Sequence, residues 1–306
     1  MKEFKKIAVA IVVFCVCFLI LDWGIGGFFD WAIKQMPSEG ERVVKSEYVI
    51  NKVDADFIVI GSSRAEAHYD SKVIQKSFPE YSVFNCGVDG QSFCYTNTAF
   101  NCIMDRYSPK VVVWDFLLTD LVEDNPENLS LLFPYYYQNE YVKSVLDVQD
   151  LTLKYKLWNN CYRYNGTASR ILRAMRIPEQ GKMGFSAHAT ADASRKFISK
   201  DYVDKSDVLI KSKVEMLEST LNRAKEKGIT VVLSVSPYYV NVIGNSMTLN
   251  YLEDLADRYG FQCVDASQWE EFLRNDKYWY DTFHLNASGA EMFTKKFIES
   301  LTRQCK

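Results

Sequence analysis

The chain lacks several features that would assign it to a common functional class. It has no low-complexity segment and no internal repeat, so a scaffold built from repeats is not expected. It contains neither Gly-x-Gly-x-x-Gly nor a glycine-rich loop ending in Gly-Lys-Ser or Gly-Lys-Thr, which disfavours a nucleotide-binding module. A formal net charge of −3 argues against a nucleic-acid-binding surface. Histidine is scarce, with only His68, His188 and His284 available for acid–base or metal chemistry.

The cysteines lack the spacing of a metal site. Two of the eight, Cys15 and Cys17, lie in an apolar run near the N-terminus, and the other six are scattered: Cys86, Cys94, Cys102, Cys161, Cys263 and Cys305. Neither a metal nor a cofactor is therefore expected. Disulfides are permitted if the domain is exported, and buried free thiols are the alternative.

The N-terminus carries the one long hydrophobic run. Lys2, Lys5 and Lys6 precede an unbroken apolar stretch from Ile7 to Leu21. The competing interpretation is a cleaved signal peptide, which would need a small-x-small cleavage site after this run. Bulky residues such as Trp23 stand there instead. Basic residues before the run and aromatics after it match the two interfaces of a membrane. We predict a single-pass anchor over residues 1–31 with a cytoplasmic N-terminus, a polar stalk over 32–54, and a large extracytoplasmic domain over 55–306.

The large domain shows apolar strands alternating with helical segments, which predicts an α/β fold with a central, mostly parallel sheet between two layers of helices. Predicted helices follow the first, second and third strands, the one after the third running from about Lys205 to Lys227, and a last helix starts near Ser288 with the capping box Ser288-x-x-Glu291. The predicted strands are FIVIG (57–61), YSVFN (81–85), KVVVWDF (110–116), ITVVLSV (229–235) and FQCVD (261–265).

The first strand ends in Gly61-Ser62-Ser63-Arg64. Gly61 allows a sharp turn, and a serine there projects from the carboxyl end of a strand, where open α/β sheets bind ligands. Taken alone, the two serines are ordinary turn residues that cap a helix. A second alternative is an anion cradle formed by the turn and Arg64.

A second chemical signal lies near the other end of the chain, in Asp281-Thr282-Phe283-His284. In a loop, a carboxylate can hold the imidazole of a histidine three residues later, fixing its tautomer and stabilising its charged form. Of the three histidines, only His284 has an acidic partner at short spacing. His68 should point away from the turn, and His188 lies in a poorly patterned segment.

The alternation of strands and helices stops between about residues 121 and 204, which predicts an insertion. This stretch is rich in aromatics, including Tyr135, Tyr136 and Tyr137. The insertion could form a lid beside the strand ends, with tyrosines stacking on sugar rings or on a partner. Equally, the aromatics could fill a small core of its own.

These blocks, in this order, resemble the SGNH (GDSL-type) hydrolase and acyltransferase superfamily, a three-layer flavodoxin-like fold. The resemblance makes Ser63 the nucleophile, His284 the general base and Asp281 its orienting carboxylate. The glycine block resembles Asn85–Gly90, so the backbone N–H groups of Ser63 and Gly90 are the implied oxyanion donors. The remaining block, usually Gly-x-Asn-Asp, reads Leu117-Leu118-Thr119-Asp120, which places Thr119 where the asparagine donor is expected.

The anchor and the Gly-Ser-Ser start are most similar to exported acyl-transfer proteins of the D-alanyl-lipoteichoic acid and alginate-acetylation type. The resemblance implies an esterase or O-acyltransferase outside the bacterial cytoplasmic membrane that acts on acyl esters of cell-surface glycans. It also implies a multi-span membrane O-acyltransferase as partner. The alternative is a catalytically idle accessory domain that keeps the fold and binds a glycan or a membrane partner.

Overall fold

The computed structural model describes residues 2–36, 40–123, 127–176, 183–189, 197–198, 200–203 and 208–304, with side chains up to residue 301. The expected start of a helix at Lys205, residue Cys305 and part of the predicted insertion lie outside these residues. The strands are β1 Phe57–Ile60, β2 Val83–Asn85, β3 Val111–Asp115, β4 Tyr202–Val203, β5 Thr230–Val235, β6 Val242–Ile243 and β7 Gln262–Asp265. The helices are α1 Lys2–Lys34, α2 Arg42–Asn51, α3 Ser63–His68, α4 Ser71–Ser77, α5 Phe93–Arg106, α6 Glu140–Gln149, α7 Leu153–Lys156, α8 Asn160–Tyr164, α9 Ala168–Ala174, α10 Lys211–Glu226, α11 Met247–Tyr259 and α12 Ala287–Gln304.

The central sheet has five parallel strands in the order β2-β1-β3-β5-β7. Each corresponds to a predicted apolar run, and the predicted α/β class with a parallel sheet is confirmed. The sequence analysis missed β4 and β6, which pair in a separate two-stranded sheet. Each of these two strands has only two residues, too few to show a period-two pattern.

Successive residues of the central strands point to opposite faces of the sheet. Phe57 and Val59 of β1 belong to a buried cluster that includes Phe293 and Phe297 of α12. On β3, the Trp114 ring packs against aromatic rings of α5. Because both faces are covered, β1 and most of β3 are apolar rather than alternating, as buried parallel strands usually are.

Asn286, rather than Ser288, caps the last helix. Its side-chain oxygen accepts a hydrogen bond from the backbone N–H of Gly289 at 3.0 Å and from the hydroxyl of Ser288 at 2.9 Å. Glu291 instead pairs with Lys295 at 2.5 Å on the helix surface. The predicted capping box is therefore wrong, because an asparagine two residues upstream provides the better N-cap.

The chain divides into two compact units. The first comprises Met1–Glu47 and Leu129–Glu179, and the second comprises Tyr48–Asn128 and Gln180–Lys306. The central sheet lies in the second unit. Much of the predicted insertion thus folds together with the N-terminal helix, and the boundary between the units falls within α2.

Within the first unit, α1 packs against α8 and α9. The Asp22 carboxylate accepts hydrogen bonds from the backbone N–H groups of Asn160 and Cys161, at 2.9 and 2.8 Å. The Phe29 ring stacks on Tyr164, with ring centroids 5.1 Å apart. The N-terminal half of α1, by contrast, is exposed, and α1 is long and apolar enough to cross a membrane, with a window of mean hydropathy 2.6.

The tyrosine cluster of the predicted insertion is divided between core and surface. Tyr135 and Tyr136 are buried, and the Tyr136 hydroxyl donates to Asp147 at 2.7 Å. Tyr137 is exposed, and its hydroxyl donates to the backbone oxygen of Lys154. Two of the three rings therefore help to fill the core of the first unit, which agrees with the interpretation that the aromatics of the insertion form a small core of their own.

Gly61 forms the turn between β1 and α3, with a φ of +148°. A Cβ atom there would lie 2.7 Å from the Cβ of Ala65 and 2.8 Å from the backbone oxygen of Asp115. The missing side chain therefore lets α3 start directly over the end of β3.

We expect Gly61→Ala to lower the free energy of unfolding by about 3 kcal/mol or more, since backbone strain and a backbone collision combine. Gly228→Ala is the matched control. Gly228 also has a positive φ, +69°, but no atom lies within 4 Å of its added Cβ, so strain alone should cost about 1 kcal/mol. Denaturant unfolding measures both, and equal losses would contradict the proposed collision at Gly61.

Candidate active site

Ser63 is the first residue of α3, directly after the Gly61 turn. Ser62 is the N-cap, with a hydroxyl that accepts from the backbone N–H of Arg64 at 3.4 Å and a carbonyl that accepts from Glu66 at 3.1 Å. The capping role considered for both serines therefore applies to Ser62. The Ser63 side chain points instead to a histidine from the other end of the chain.

The structure brings Ser63, His284 and Asp281 together. The Ser63 Oγ lies 2.8 Å from His284 Nε2. The opposite ring nitrogen, Nδ1, lies 3.0 and 3.1 Å from the two carboxylate oxygens of Asp281. The carboxylate also accepts from the backbone N–H groups of Phe283 and His284, both at 2.8 Å. A tight loop therefore holds the Asp281 carboxylate against the His284 ring, as the three-residue spacing of the two residues predicted.

The hydrogen bonds define which nitrogen of His284 carries the proton. Because Nδ1 faces a carboxylate, it is the donor, and Nε2 is left as an acceptor for the Ser63 hydroxyl. Burial alone would raise the pKa of Asp281, but hydrogen bonds from Phe283 and His284 outweigh it and hold this pKa below its usual value. Asp281 is therefore ionised at neutral pH, and the triad is arranged for proton transfer from serine to imidazole.

Gly90 and Thr119 lie in the loops that follow β2 and β3, at the same edge of the sheet as the start of α3. The Gly90 loop is fastened to that region, because Val88 donates its N–H to the Gly61 oxygen at 3.1 Å and Asp89 donates to Glu66 at 2.8 Å. Gly90 has a φ of +72°, which favours glycine. Both residues stay candidates for the oxyanion-donor role that the resemblance implies.

A buried lysine fixes the Thr119 loop. Lys213 donates to the backbone oxygen of Asp120 at 3.0 Å and pairs with Glu127 at 3.1 Å. The Asp120 side chain closes the turn by accepting from the N–H of Leu117 at 2.8 Å, while burial raises its pKa to about 7. Sequence analysis of this block considered only Thr119 and missed these supports.

Behind the triad lies a buried polar network centred on Ser236. Arg64, only 3% exposed, donates to the Ser236 hydroxyl at 3.0 Å and to the backbone oxygens of Ser236 and Pro237 at 2.5 and 2.7 Å. The Asp115 carboxylate accepts from the Ser236 hydroxyl at 3.1 Å and from Tyr69 at 2.8 Å. The guanidinium of Arg64 is thus committed inside the protein, which removes the cation from the proposed anion cradle.

His68 links this network to the loop that carries His284, contrary to the expectation that it points away. Its Nε2 accepts from the backbone N–H of Leu285, the residue after His284, at 3.1 Å. Its Nδ1 lies 3.1 Å from the Ser236 hydroxyl. Since Nε2 is the acceptor, the proton belongs on Nδ1. The ring is fully buried, and burial together with nearby Arg64 lowers its pKa well below the usual value, so it stays neutral.

His188 also lies beside the triad. Its ring stacks on Tyr280, with centroids 4.5 Å apart, and meets the edge of His284 at 5.1 Å. Its backbone oxygen accepts from the N–H of Ala287 at 3.0 Å. Burial and the neighbouring His284 lower the pKa of His188, which favours a neutral ring next to the triad. No local sequence pattern around His188 could have indicated this position.

Among the residues that the structure describes, no group of three or more His, Cys, Asp or Glu side chains could hold a metal ion. The described cysteines are all free thiols.

Comparisons with known proteins give only distant structural likenesses. No described protein family matches the chain, and no curated protein does so either. A crystal structure from Bacteroides fragilis, provisionally described as an acylhydrolase, matches with a TM-score of 0.43 and 11% sequence identity over 88% of this chain and 100% of that one. Similarity at this level defines no activity, so the chemistry of this chain has to be judged from its own side chains.

The tautomer of His68 provides a direct test of this geometry. With only three histidines in the chain, selective nitrogen-15 labelling gives three imidazole rings to assign by NMR. His68 should show a protonated Nδ1 and a bare Nε2 throughout the neutral pH range. A protonated Nε2 on His68 would contradict the hydrogen bond from Leu285.

Two substitutions separate the two bonds of this ring. His68→Gln keeps an acceptor that reaches Leu285, and His68→Asn keeps only a donor near Ser236. Since an unpaired buried N–H costs about 1–3 kcal/mol, His68→Asn should lower stability and shift the His284 resonances. His68→Gln should leave those resonances close to the parent. Equal shifts in both variants would show that the Leu285 bond does not position His284.

Proposed function

We propose that this chain is a membrane-anchored serine esterase or O-acyltransferase of SGNH type. The observation that carries the proposal is the 2.8 Å contact between Ser63 Oγ and His284 Nε2, with Asp281 on the opposite ring nitrogen. A serine, an imidazole and a carboxylate in this order are the parts of a nucleophilic acyl-transfer site.

In the first half-reaction, Ser63 Oγ attacks the carbonyl carbon of an acyl ester while His284 Nε2 takes the hydroxyl proton. Asp281 stabilises the resulting imidazolium. The tetrahedral intermediate collapses when His284 returns that proton to the departing alcohol oxygen, which leaves an acyl-serine. In the second half, an acceptor hydroxyl or water gives its proton to His284 and attacks the acyl carbon. This second tetrahedral intermediate collapses as the bond to Ser63 Oγ breaks and His284 returns the proton to that oxygen, which regenerates Ser63 and the neutral imidazole.

The negative oxygen of each intermediate needs hydrogen-bond donors aimed at it. We assign this role to the backbone N–H groups of Ser63 and Gly90, with the Thr119 hydroxyl as a third donor. The start of α3 and the two neighbouring loops lie at one edge of the sheet, which supports the assignment. A threonine reaches less far than the asparagine of the resembled block, so its contribution should be smaller.

We infer that the acceptor is a hydroxyl of a cell-surface glycan and that the acyl group is acetyl-like. The support is the resemblance to exported proteins that work beside a multi-span membrane O-acyltransferase. A site tethered to the membrane also suits a donor that is bound to lipid or to a membrane protein, whereas an esterase of free small molecules gains little from a tether.

The proposed topology places the N-terminus in the cytoplasm and everything after about Ile33 outside. Lysines flank the apolar half of α1, and only 6% of its most hydrophobic window is buried. Together with the positive-inside rule, this supports the proposed orientation. Protease added to intact spheroplasts should digest the chain after about Ile33 and spare a tag placed before Met1. Digestion of the tag would reverse the orientation.

Ser63→Ala should abolish labelling by a fluorophosphonate, a probe that bonds covalently to an activated serine. His284→Ala should reduce labelling about as strongly, because members of a triad act as a unit, and Asp281→Asn should reduce it less. Ser62→Ala is the matched control. The Ser62 hydroxyl caps α3, whereas the contact with His284 is made by Ser63, so labelling should largely survive. If the parent protein is not labelled under any condition, the idle accessory domain becomes the better interpretation.

Transfer should dominate over hydrolysis when an acceptor is supplied. We expect slow cleavage of small acetyl esters by the full chain, and acetylated oligosaccharide as the main product once a suitable glycan is added, with no product from Ser63→Ala. Mass spectrometry of the products with and without glycan measures the ratio. Fast hydrolysis that no glycan alters would identify a plain esterase.

A further inference from the structure

The first unit exposes large apolar side chains well beyond the N-terminal half of α1. Val148, Leu151, Tyr155 and Trp158 are 84, 72, 73 and 65% exposed, and we call these four residues the 148–158 surface. They fall within a short stretch covering the end of α6, all of α7 and the approach to α8. Soluble proteins rarely expose large apolar side chains so densely, and such patches usually mark a contact with a partner or a membrane.

Contacts at the start of α8 fix the position along α1 of the Trp158 end of this surface. Trp158 lies two residues before Asn160, whose backbone and side-chain N–H groups donate to Asp22 at 2.9 and 3.0 Å. One turn further along α1, a Cβ atom on Gly26 would lie 2.3 Å from the Asn160 side chain. The start of α8 is therefore pressed against α1 between Asp22 and Gly26, and small residues allow such close approach between helices in membranes.

The length of the apolar run places that contact at the membrane boundary. From Ile7 to Leu21 the helix rises only about 22 Å, whereas the hydrocarbon core is about 30 Å thick. If α1 spans the bilayer, roughly five further residues lie within or next to the core, which reaches about Gly26. Asp22 is compatible with this depth because its carboxylate is 5% exposed and saturated by N–H donors from α8.

The neighbouring aromatics fit the same depth. Trp23 and Trp31 of α1 are 79 and 55% exposed, and tryptophan and tyrosine concentrate where lipid headgroups meet the acyl chains. Lys154 lies next to Tyr155, with its ammonium 4.9 Å from the ring centroid. A lysine beside exposed rings pairs favourably with lipid phosphate.

We propose that the 148–158 surface lies in the headgroup region of the outer leaflet, so that lipid is its partner. The first unit then contacts the membrane at two places, the spanning half of α1 and this surface beside it. The proposal rests on the membrane-spanning role of α1 but not on the acyl chemistry.

Tryptophan quenching in nanodiscs made with brominated lipids tests this with the full chain. The difference between the parent and Trp158→Phe isolates the fluorescence of Trp158. Bromine close to the headgroup should remove most of that component, and bromine at the methyl end of the acyl chains should remove little. Trp279→Phe is the matched control, because Trp279 is fully buried and its component should survive both lipids.

The same measurement on Trp23→Phe distinguishes failure of the proposed surface from failure of the proposed membrane anchor. Quenching of the Trp23 component without quenching of Trp158 would overturn the proposed surface and leave the anchor intact. Loss of neither component to bromine would overturn both. If Trp158 is unquenched and a photo-crosslinker at position 155 captures a membrane protein, a protein partner replaces lipid as the occupant.

Discussion

The hydroxyl of Ser236 is the point on which the geometry of the candidate site depends. It accepts from Arg64, lies within hydrogen-bond distance of His68 and donates to Asp115. Arg64 follows Ser63 directly, and His68 holds the residue after His284. One small side chain directly after β5 therefore connects the helix that begins at Ser63 to the loop that carries His284, 221 residues apart along the chain. Because all these groups are buried and paired, losing one leaves others unsatisfied, which makes such networks cooperative.

The electrostatics of this network differ from those of the Ser63–His284–Asp281 arrangement, because the groups of the network are buried. Burial raises the pKa of Asp115 to about 6, and Arg64 and hydrogen bonds from Tyr69 and Ser236 counteract it. His68 is held neutral by the same burial. The Ser63–His284–Asp281 arrangement, by contrast, is partly open to solvent.

The sequence was sufficient where a feature is local. The five central strands are short, mostly apolar segments between helical ones, and Asp281 with His284 forms a turn that closes on itself, so both could be predicted. His68 and His188 could not, because their importance comes from contacts with Leu285 and Tyr280 that only the tertiary fold creates. The cap at Asn286 was missed for a different reason: Ser288 with Glu291 is an equally good local pattern, and packing decides between them. Aromatic composition predicted neither the burial of Tyr136 nor the exposure of Trp158.

The unbroken course of α1 has a consequence for how the chain tolerates change. Its 33 residues form one helix about 50 Å long, with no proline at which it could kink. Its apolar N-terminal half and the half that holds α8 therefore share one helical phase. Deleting a single residue between them would turn α8 and α9 by about 100° around the helix axis relative to the apolar half. Length, more than composition, is then the property of this segment that natural variation should preserve.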